Sequence, residues 1–100
     1  MADMRFNFPV MREMKRACEN TAAQIDDSVG KMKEIAQSME NGALLGKGGD
    51  RARESFRNTL VPKMQMLSAK LREQASDIQK SIEEGQRIQG DDKQLMDSIA

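Results

Sequence analysis

Side chains that could carry out chemistry are few in this sequence. Its 100 residues include no histidine, so the common metal sites and general bases lack their main residue. Carboxylates occur as neighbours in three places: Asp26 with Asp27, Glu83 with Glu84, and Asp91 with Asp92. Adjacent helical residues point about 100° apart, so these pairs are expected to lie in water rather than to converge on a ligand. The sequence therefore predicts no enzymatic activity, no metal site and no cofactor.

Two further features resemble functional sites only superficially. Residues 42–47 resemble a phosphate-binding loop, but the segment is one residue short and follows no strand. It also has Gly48 where Ser or Thr would bind magnesium. Cys18 is the single cysteine, so it forms no internal disulfide and the fold does not depend on an oxidising compartment. Its position on an apolar stripe predicts a small packed side chain rather than a reactive thiol.

Charge is balanced overall but unevenly placed along the chain. Sixteen basic side chains face sixteen acidic ones, which does not favour nucleic acid or an anionic membrane as a partner. Residues 47–72 carry seven basic side chains against two acidic ones, a net of +5, and residues 73–100 carry three against seven, a net of −4. The basic segment lacks stacking aromatics, so a nucleic-acid-binding hairpin stays the weaker alternative.

The composition indicates one all-α domain. The hydrophobic fraction is 38%, the charged fraction is 32%, and the only aromatic residues are three phenylalanines, a composition typical of helices packed by Met, Leu and Ile. No apolar run approaches the roughly 18 residues of a membrane span. The N-terminus lacks the apolar core of a secretory signal, so ordinary export is not expected.

Two predicted helices, joined by a glycine-rich turn, must position every one of these side chains. Helix 1 is predicted at about residues 9–41, with Asn7 as N-cap, Pro9 in the first turn, and Phe6 packed on Met11. Its seam repeats every seven residues through Met11, Cys18, Ile25, Met32 and Met39, with Ala22, Val29 and Ala36 four residues after members of that row. Lys15 is the one misfit, and Gly30 is interpreted as permitting a close backbone approach.

The turn is predicted at residues 42–49 and helix 2 at about residues 50–88, with Asp50 as its N-cap. A tail to residue 100 follows, in which the weak helical spacing of Ile88, Leu95 and Ile99 leaves helix, tail or both as alternatives. The apolar positions of helix 2 have a spacing nearer eleven residues than seven, which favours a nearly straight helix. They are Phe56, Leu60, Met64, Leu67, Leu71, Ala75, Ile78 and Ile82. Pro62 crowds the carbonyl of Asn58, which predicts a kink near residues 59–62 with the stripe continuing in phase.

A lone hairpin of this kind would leave a long apolar groove exposed, which monomers seldom tolerate. The sequence therefore predicts an all-α helix-turn-helix hairpin that dimerises into an antiparallel four-helix bundle. The uneven charge favours the antiparallel arrangement, with Arg51, Arg53 and Arg57 near Glu83, Glu84, Asp91 and Asp92 of the partner. The predicted interface comprises Met11, Met14, Cys18, Ile25, Val29, Met32, Met39, Phe56, Leu60, Met64, Leu67, Leu71, Ile78 and Ile82.

The turn and its flanks resemble the WXG family of small type VII secretion proteins, the early-secreted-antigen type. Leu44 stands at the position of the family's Trp, Gly46 at its invariant Gly, and Gly48 at a further Gly. Residues 88–92 have the spacing of the family's Tyr-x-x-x-Asp/Glu export tag, with Ile88 in place of Tyr and Asp92 as the acidic residue. Phe56 and the Leu-Val-Pro of residues 60–62 resemble the second helix of some members.

The resemblance implies a hairpin that pairs with itself or with a paralogous hairpin. It also implies recognition by type VII secretion machinery and export by a route that needs no signal peptide. The function expected on that basis is that of a small secreted substrate or effector, or a chaperone-like partner of a larger secreted protein. A cytoplasmic structural or adaptor coiled-coil hairpin is the first alternative, and the nucleic-acid-binding hairpin is the second.

Overall fold

The computed structural model describes residues 7–43 and 47–99, with side chains described for residues 7–41 and 48–90. Helix α1, Phe8–Ser38, leads into a first π-helical turn, Met39–Ala43. Helix α2, Lys47–Ser55, is followed by a second π-helical turn, Phe56–Leu60, and then by the long helix α3, Val61–Ile99. No strand occurs in the described ranges. The predicted all-α hairpin is confirmed, since α3 runs back along α1 in the opposite direction.

The start of α1 matches its prediction. The Asn7 side-chain Oδ1 accepts a hydrogen bond from the Val10 backbone N–H at 3.3 Å, and Pro9 lies in the first turn. Cap oxygens of this kind satisfy amides that have no partner within the helix. Phe6, proposed to pack on Met11, lies outside the described residues.

The core of the hairpin is a narrow seam of small side chains. In α1 the fully buried residues recur every seven positions at Ala22, Val29 and Ala36, as the sequence predicts. In α3 a row of buried residues also recurs every seven positions, at Val61, Ser68, Ala75 and Ile82. Most of these side chains are small, which lets two helices approach closely. The predicted row is half-buried throughout: Met11, Cys18, Ile25 and Met32 in α1, and Met39 at the start of the first π-helical turn.

The predicted spacing of helix 2 is wrong. Its inward positions step by three and four, through Val61, Met64, Ser68, Leu71, Ala75, Ile78 and Ile82, which is a heptad pattern rather than an eleven-residue one. Leu60 and Leu67, expected on the seam, are exposed. The prediction missed the true row because Ser68, a polar residue, occupies one of its inward positions, and a search for apolar residues alone passes over it.

The π-helical turn before Pro62 explains why some of the inward-facing positions after it lie one residue later than predicted. The Val61 N–H bonds to the Phe56 carbonyl, five residues back, so the turn contains one residue more than an α-helical turn. The inward stripe therefore passes from Phe56 to Val61 instead of to Leu60. The region for which a kink was predicted, residues 59–62, overlaps this turn, whose wider ring relieves the crowding of a proline against the preceding turn. The stripe does not continue in phase.

Two local predictions are also corrected. Asp50 is not an N-cap, because α2 begins at Lys47 and Asp50 lies within its first turn, paired with Arg53. Gly30 permits no close approach, since it is exposed and a Cβ there would meet nothing within 4 Å. Of the alternatives left open for the chain after residue 88, the backbone adopts helix, because α3 continues to Ile99. The buried Gly85 lies inside that helix.

The molecule is a thin rod. It measures 79 × 21 × 17 Å, and its radius of gyration is 22.4 Å, whereas a compact domain of this length would have about 13 Å. The smallest dimension allows one layer of helices, since a helix with its side chains is roughly 10–12 Å across. A single layer can hide only one stripe of each helix, so much of the apolar surface stays accessible.

Candidate protein-interaction face

The seam divides the hairpin surface into two long faces, one on each side of the plane that contains the helix axes. One side is lined by the residues that follow a buried seam residue by four positions, in both helices. The other side is lined by the residues that precede a buried seam residue by one position. We call the first the polar face and the second the apolar face. They differ sharply in charge.

The polar face carries the described polar contacts between α1 and the returning half of the chain. Lys15 Nζ donates to Gln79 Oε1 at 3.0 Å, so the one misfit of the α1 seam has a polar partner across the hairpin. Arg72 pairs with Asp26 across the middle. A residue of α1 and a residue of α3 therefore lie at the same height along the rod when their two numbers sum to about 94. This sum defines the register of the hairpin.

A three-residue network closes over the seam at its centre. The Ser68 hydroxyl is almost fully buried and donates to Asp26 Oδ1 at 2.6 Å. Arg72 donates to Ser68 Oγ and to Asp26 Oδ2, each at 2.5 Å. The serine hydroxyl therefore has both a donor and an acceptor partner, which removes the penalty of burying a polar group. The apolar pattern gave no sign of this network. The burial of Ser68 could have been predicted only from its position, which is seven residues from both Val61 and Ala75.

The network perturbs ionisation in the expected direction. Hydrogen bonds from Arg72 and then Ser68 hold the pKa of the Asp26 carboxyl below its usual range, because both stabilise the ionised form. The bond to Asp26 likewise raises the pKa of Arg72. Asp26 was predicted to be solvated. Its side chain is about half exposed but has these two partners.

A second set of contacts ties the turn end together. Arg57 forms an ion pair with Glu40 across the two π-helical turns. Arg53 pairs with Asp50, and its guanidinium also donates to the Met39 carbonyl at 3.4 Å. The sequence assigned Arg53 and Arg57 to acidic groups of a partner subunit. Both side chains are engaged within their own chain, and their approach to a partner's acidic groups stays a prediction.

The apolar face has no charge in the two rows that border the seam. Its half-buried row consists of Met11, Cys18, Ile25, Met32, Met39, Met64, Leu71 and Ile78. The bordering row of α1 contains Met14, Thr21, Ser28 and Ile35, and that of α3 contains Leu60, Leu67, Gln74, Ser81 and Ile88. The strip combines these apolar residues with the uncharged polar residues Thr21, Ser28, Gln74 and Ser81, and exposed apolar clusters on a surface often mark interaction sites.

Large apolar side chains stand exposed on this strip. Met14 is 54% exposed, Ile35 48% and Leu67 51%. Among the predicted interface residues, these exposed side chains and those of the half-buried row keep solvent-accessible surface that a partner could cover. Val29 and Ile82 do not, because each is at least 95% buried inside the hairpin. Their place in the predicted interface is corrected, since the two helices use them for each other.

Phe56, also predicted at the interface, lies near the turn end. It is half-buried and lines a cavity of about 300 Å³ with Met32, Ala36 and Val61, bordered by Lys33, Gln37 and Arg57. The cavity lies where the second π-helical turn displaces the chain by one residue. Its walls are mainly apolar, so it is a packing gap of the turn end rather than a site with convergent polar groups.

The residues that resemble a secretion signal fall only partly within the described structure. Leu44 and Gly46 lie outside the described residues. Gly48 is exposed in the first turn of α2. Ile88 is half-buried in α3, and Asp92 belongs to the same helix, with its side chain outside the described set. The segment that resembles an export tag is thus helical.

Within the described ranges, no group of three or more Cys, Asp or Glu side chains is arranged to hold a metal ion. Cys18 is a free, half-buried thiol on the seam. None of the helices in the part of the chain that the structure describes combines the length and the hydropathy needed to cross a bilayer. The apolar face is therefore the feature of the described surface that most calls for a function.

Comparison with protein-family models, with curated proteins and with solved structures found no match for this chain.

Proposed function

We propose that this protein is a small helical interaction protein whose apolar face pairs with a second helical hairpin to form a four-helix bundle. The observation that carries the proposal is the uncharged strip along a rod only 17 Å thick. The broad side of the rod measures 79 by 21 Å, so its footprint is about twice the roughly 800 Å² per partner of a standard interface. The second hairpin is another copy of the chain or a paralogous hairpin.

Within that role, we propose that the chain is a substrate or chaperone-like partner of a type VII secretion system. The support is the hairpin architecture and the residue pattern at Leu44 and Gly46, together with the spacing of Ile88 and Asp92. Export would need no signal peptide. A cytoplasmic adaptor would use the same face, so the two roles are separated by location. Detection of the protein in the medium, dependent on the membrane ATPase of a type VII system, supports export.

Binding of nucleic acid has less support. Of the basic residues between positions 47 and 72, Arg53, Arg57 and Arg72 are engaged in ion pairs within the chain. This leaves a weaker and more scattered positive surface than the sequence suggested. Enzymatic activity is not part of the proposal.

The association is tested by two neighbouring substitutions in α3. Leu67 is 51% exposed on the apolar face, whereas Met66 is 62% exposed on the side opposite the seam. Leu67→Glu should weaken association at least tenfold, because it places an unpaired carboxylate inside an interface. Met66→Glu should change the dissociation constant less than threefold.

The measurement is sedimentation equilibrium, with circular dichroism to show that both variants remain helical. Both positions are already exposed to solvent, so neither change should unfold the hairpin. Equal dissociation constants for the two variants would show that the apolar face is not the interface.

A further inference from the structure

Four charged side chains of α3 stand at the outer edge of the apolar face. They recur every seven residues, and we call them the rim: Lys63, Lys70, Asp77 and Glu84. All four are exposed. Within the described residues, Lys63, Lys70 and Asp77 take part in no ion pair, and Glu84 has only a long 3.9 Å contact with Arg87. The rim thus contrasts with the polar face, where Arg72 has partners within the chain.

The order of the rim charges along α3 is positive, positive, negative, negative. Such a row is self-complementary when a second copy of the helix lies against it in the opposite direction. Lys63 then faces Glu84 of the partner subunit, and Lys70 faces Asp77 of the partner subunit. Two-fold symmetry repeats both pairs, which gives four attractions and no repulsion.

The uncharged row beside the rim fits the same register. Its centre is Gln74, which would lie against its own copy at the two-fold axis. Leu60 and Ile88 lie fourteen residues to either side of Gln74, so the same symmetry brings these two apolar side chains together. A polar residue at one central position is a common device for selecting orientation in helical bundles.

The other two-fold packing of the same faces keeps the hairpins parallel and places α1 of one copy against α3 of the other. The hairpin register, in which residue numbers at one level sum to about 94, puts Lys31 level with Lys63. Parallel hairpins would therefore bring Lys31 beside Lys63 of the partner subunit twice. The rest of that α1 row is uncharged, with Val10, Ala17, Gln24 and Ser38, so no attraction would compensate.

We propose that the rim selects a second copy of this chain as the occupant of the apolar face and fixes the two copies antiparallel, with α3 against α3 and Gln74 on the two-fold axis. This inference rests on the proposed function and adds partner choice and register to it. Apolar burial holds the bundle together, while the rim charges discriminate between arrangements, because exposed ion pairs are individually weak.

Charge reversal in matched sets tests the rim. Lys63→Glu with Lys70→Glu makes the row entirely negative, and Asp77→Lys with Glu84→Lys makes it entirely positive. Each double variant alone should dimerise at least about tenfold more weakly than the parent, because four attractions become repulsions. The two variants mixed in equal amounts should form a heterodimer about as tight as the parent. All four changes together restore self-complementarity and should restore the homodimer.

Sedimentation equilibrium at 50 mM and 1 M salt measures these constants, and the differences should shrink at high salt. Lys31→Glu is the discriminating control, since it relieves a repulsion only in the parallel packing and should leave the parent dimer unchanged. A parent dimer insensitive to rim reversal, or tightened by Lys31→Glu, overturns the register but not the interaction face. A parent chain that stays monomeric at 100 μM overturns the choice of a second copy and leaves a paralogous hairpin as the proposed partner.

Discussion

At the scale of single residues, the central polar network shows how a serine can occupy a seam position. Ser68 is buried, yet its hydroxyl is bonded by Asp26 and Arg72. The pKa of Asp26 lies below its usual range, so the ionised form is favoured in the folded state. A carboxyl with a depressed pKa contributes stability that is present above its unfolded pKa and lost as pH falls through the folded value.

We therefore expect Asp26→Asn to be less stable than the parent at pH 7, with the difference disappearing as the pH is lowered below about 4, the ordinary range of an aspartate. Urea unfolding followed by circular dichroism at pH 7 and pH 3 measures this. Asp27→Asn is the matched control, because Asp27 is exposed and has no contact with the network. A difference between parent and Asp26→Asn that is equally large at both pH values would contradict the network's role.

At the scale of helices, the two glycines of interest differ in surroundings. Gly30 lies within α1, is exposed, and has open space where a Cβ would stand. Gly30→Ala should therefore stabilise the hairpin by about 0.5–1 kcal/mol, since alanine loses less backbone freedom in a helix. Gly85 is buried within α3. Gly85→Ala should therefore stabilise the hairpin less than Gly30→Ala does, or destabilise it, because an added methyl group needs space at a buried position. Thermal unfolding of both variants compares them, and destabilisation by Gly30→Ala would mean that this surface is covered by a partner.

At the scale of the whole molecule, a rod one layer thick is too thin to hold a conventional core. Its seam buries mostly small side chains, so much of the free energy of folding should come from the apolar face once it is covered. We expect the melting temperature to rise by several degrees as the chain concentration increases from 1 to 100 μM. Leu67→Glu should abolish that rise. A melting temperature independent of concentration would contradict association as the source of stability.

The sequence by itself determined the elements that depend on local chemistry. The cap at Asn7, the heptad row of α1 and the all-helical hairpin follow from residue type and spacing, and the structure confirms them. The phase of α3 was decided only by tertiary structure, because one extra residue in the turn before Pro62 rotates every later side chain. The burial of Ser68 was likewise invisible, since its two partners come together only when the helices are paired. For the same reason, the arginines of the turn end could be assigned to their own chain only after folding had placed Glu40 beside Arg57.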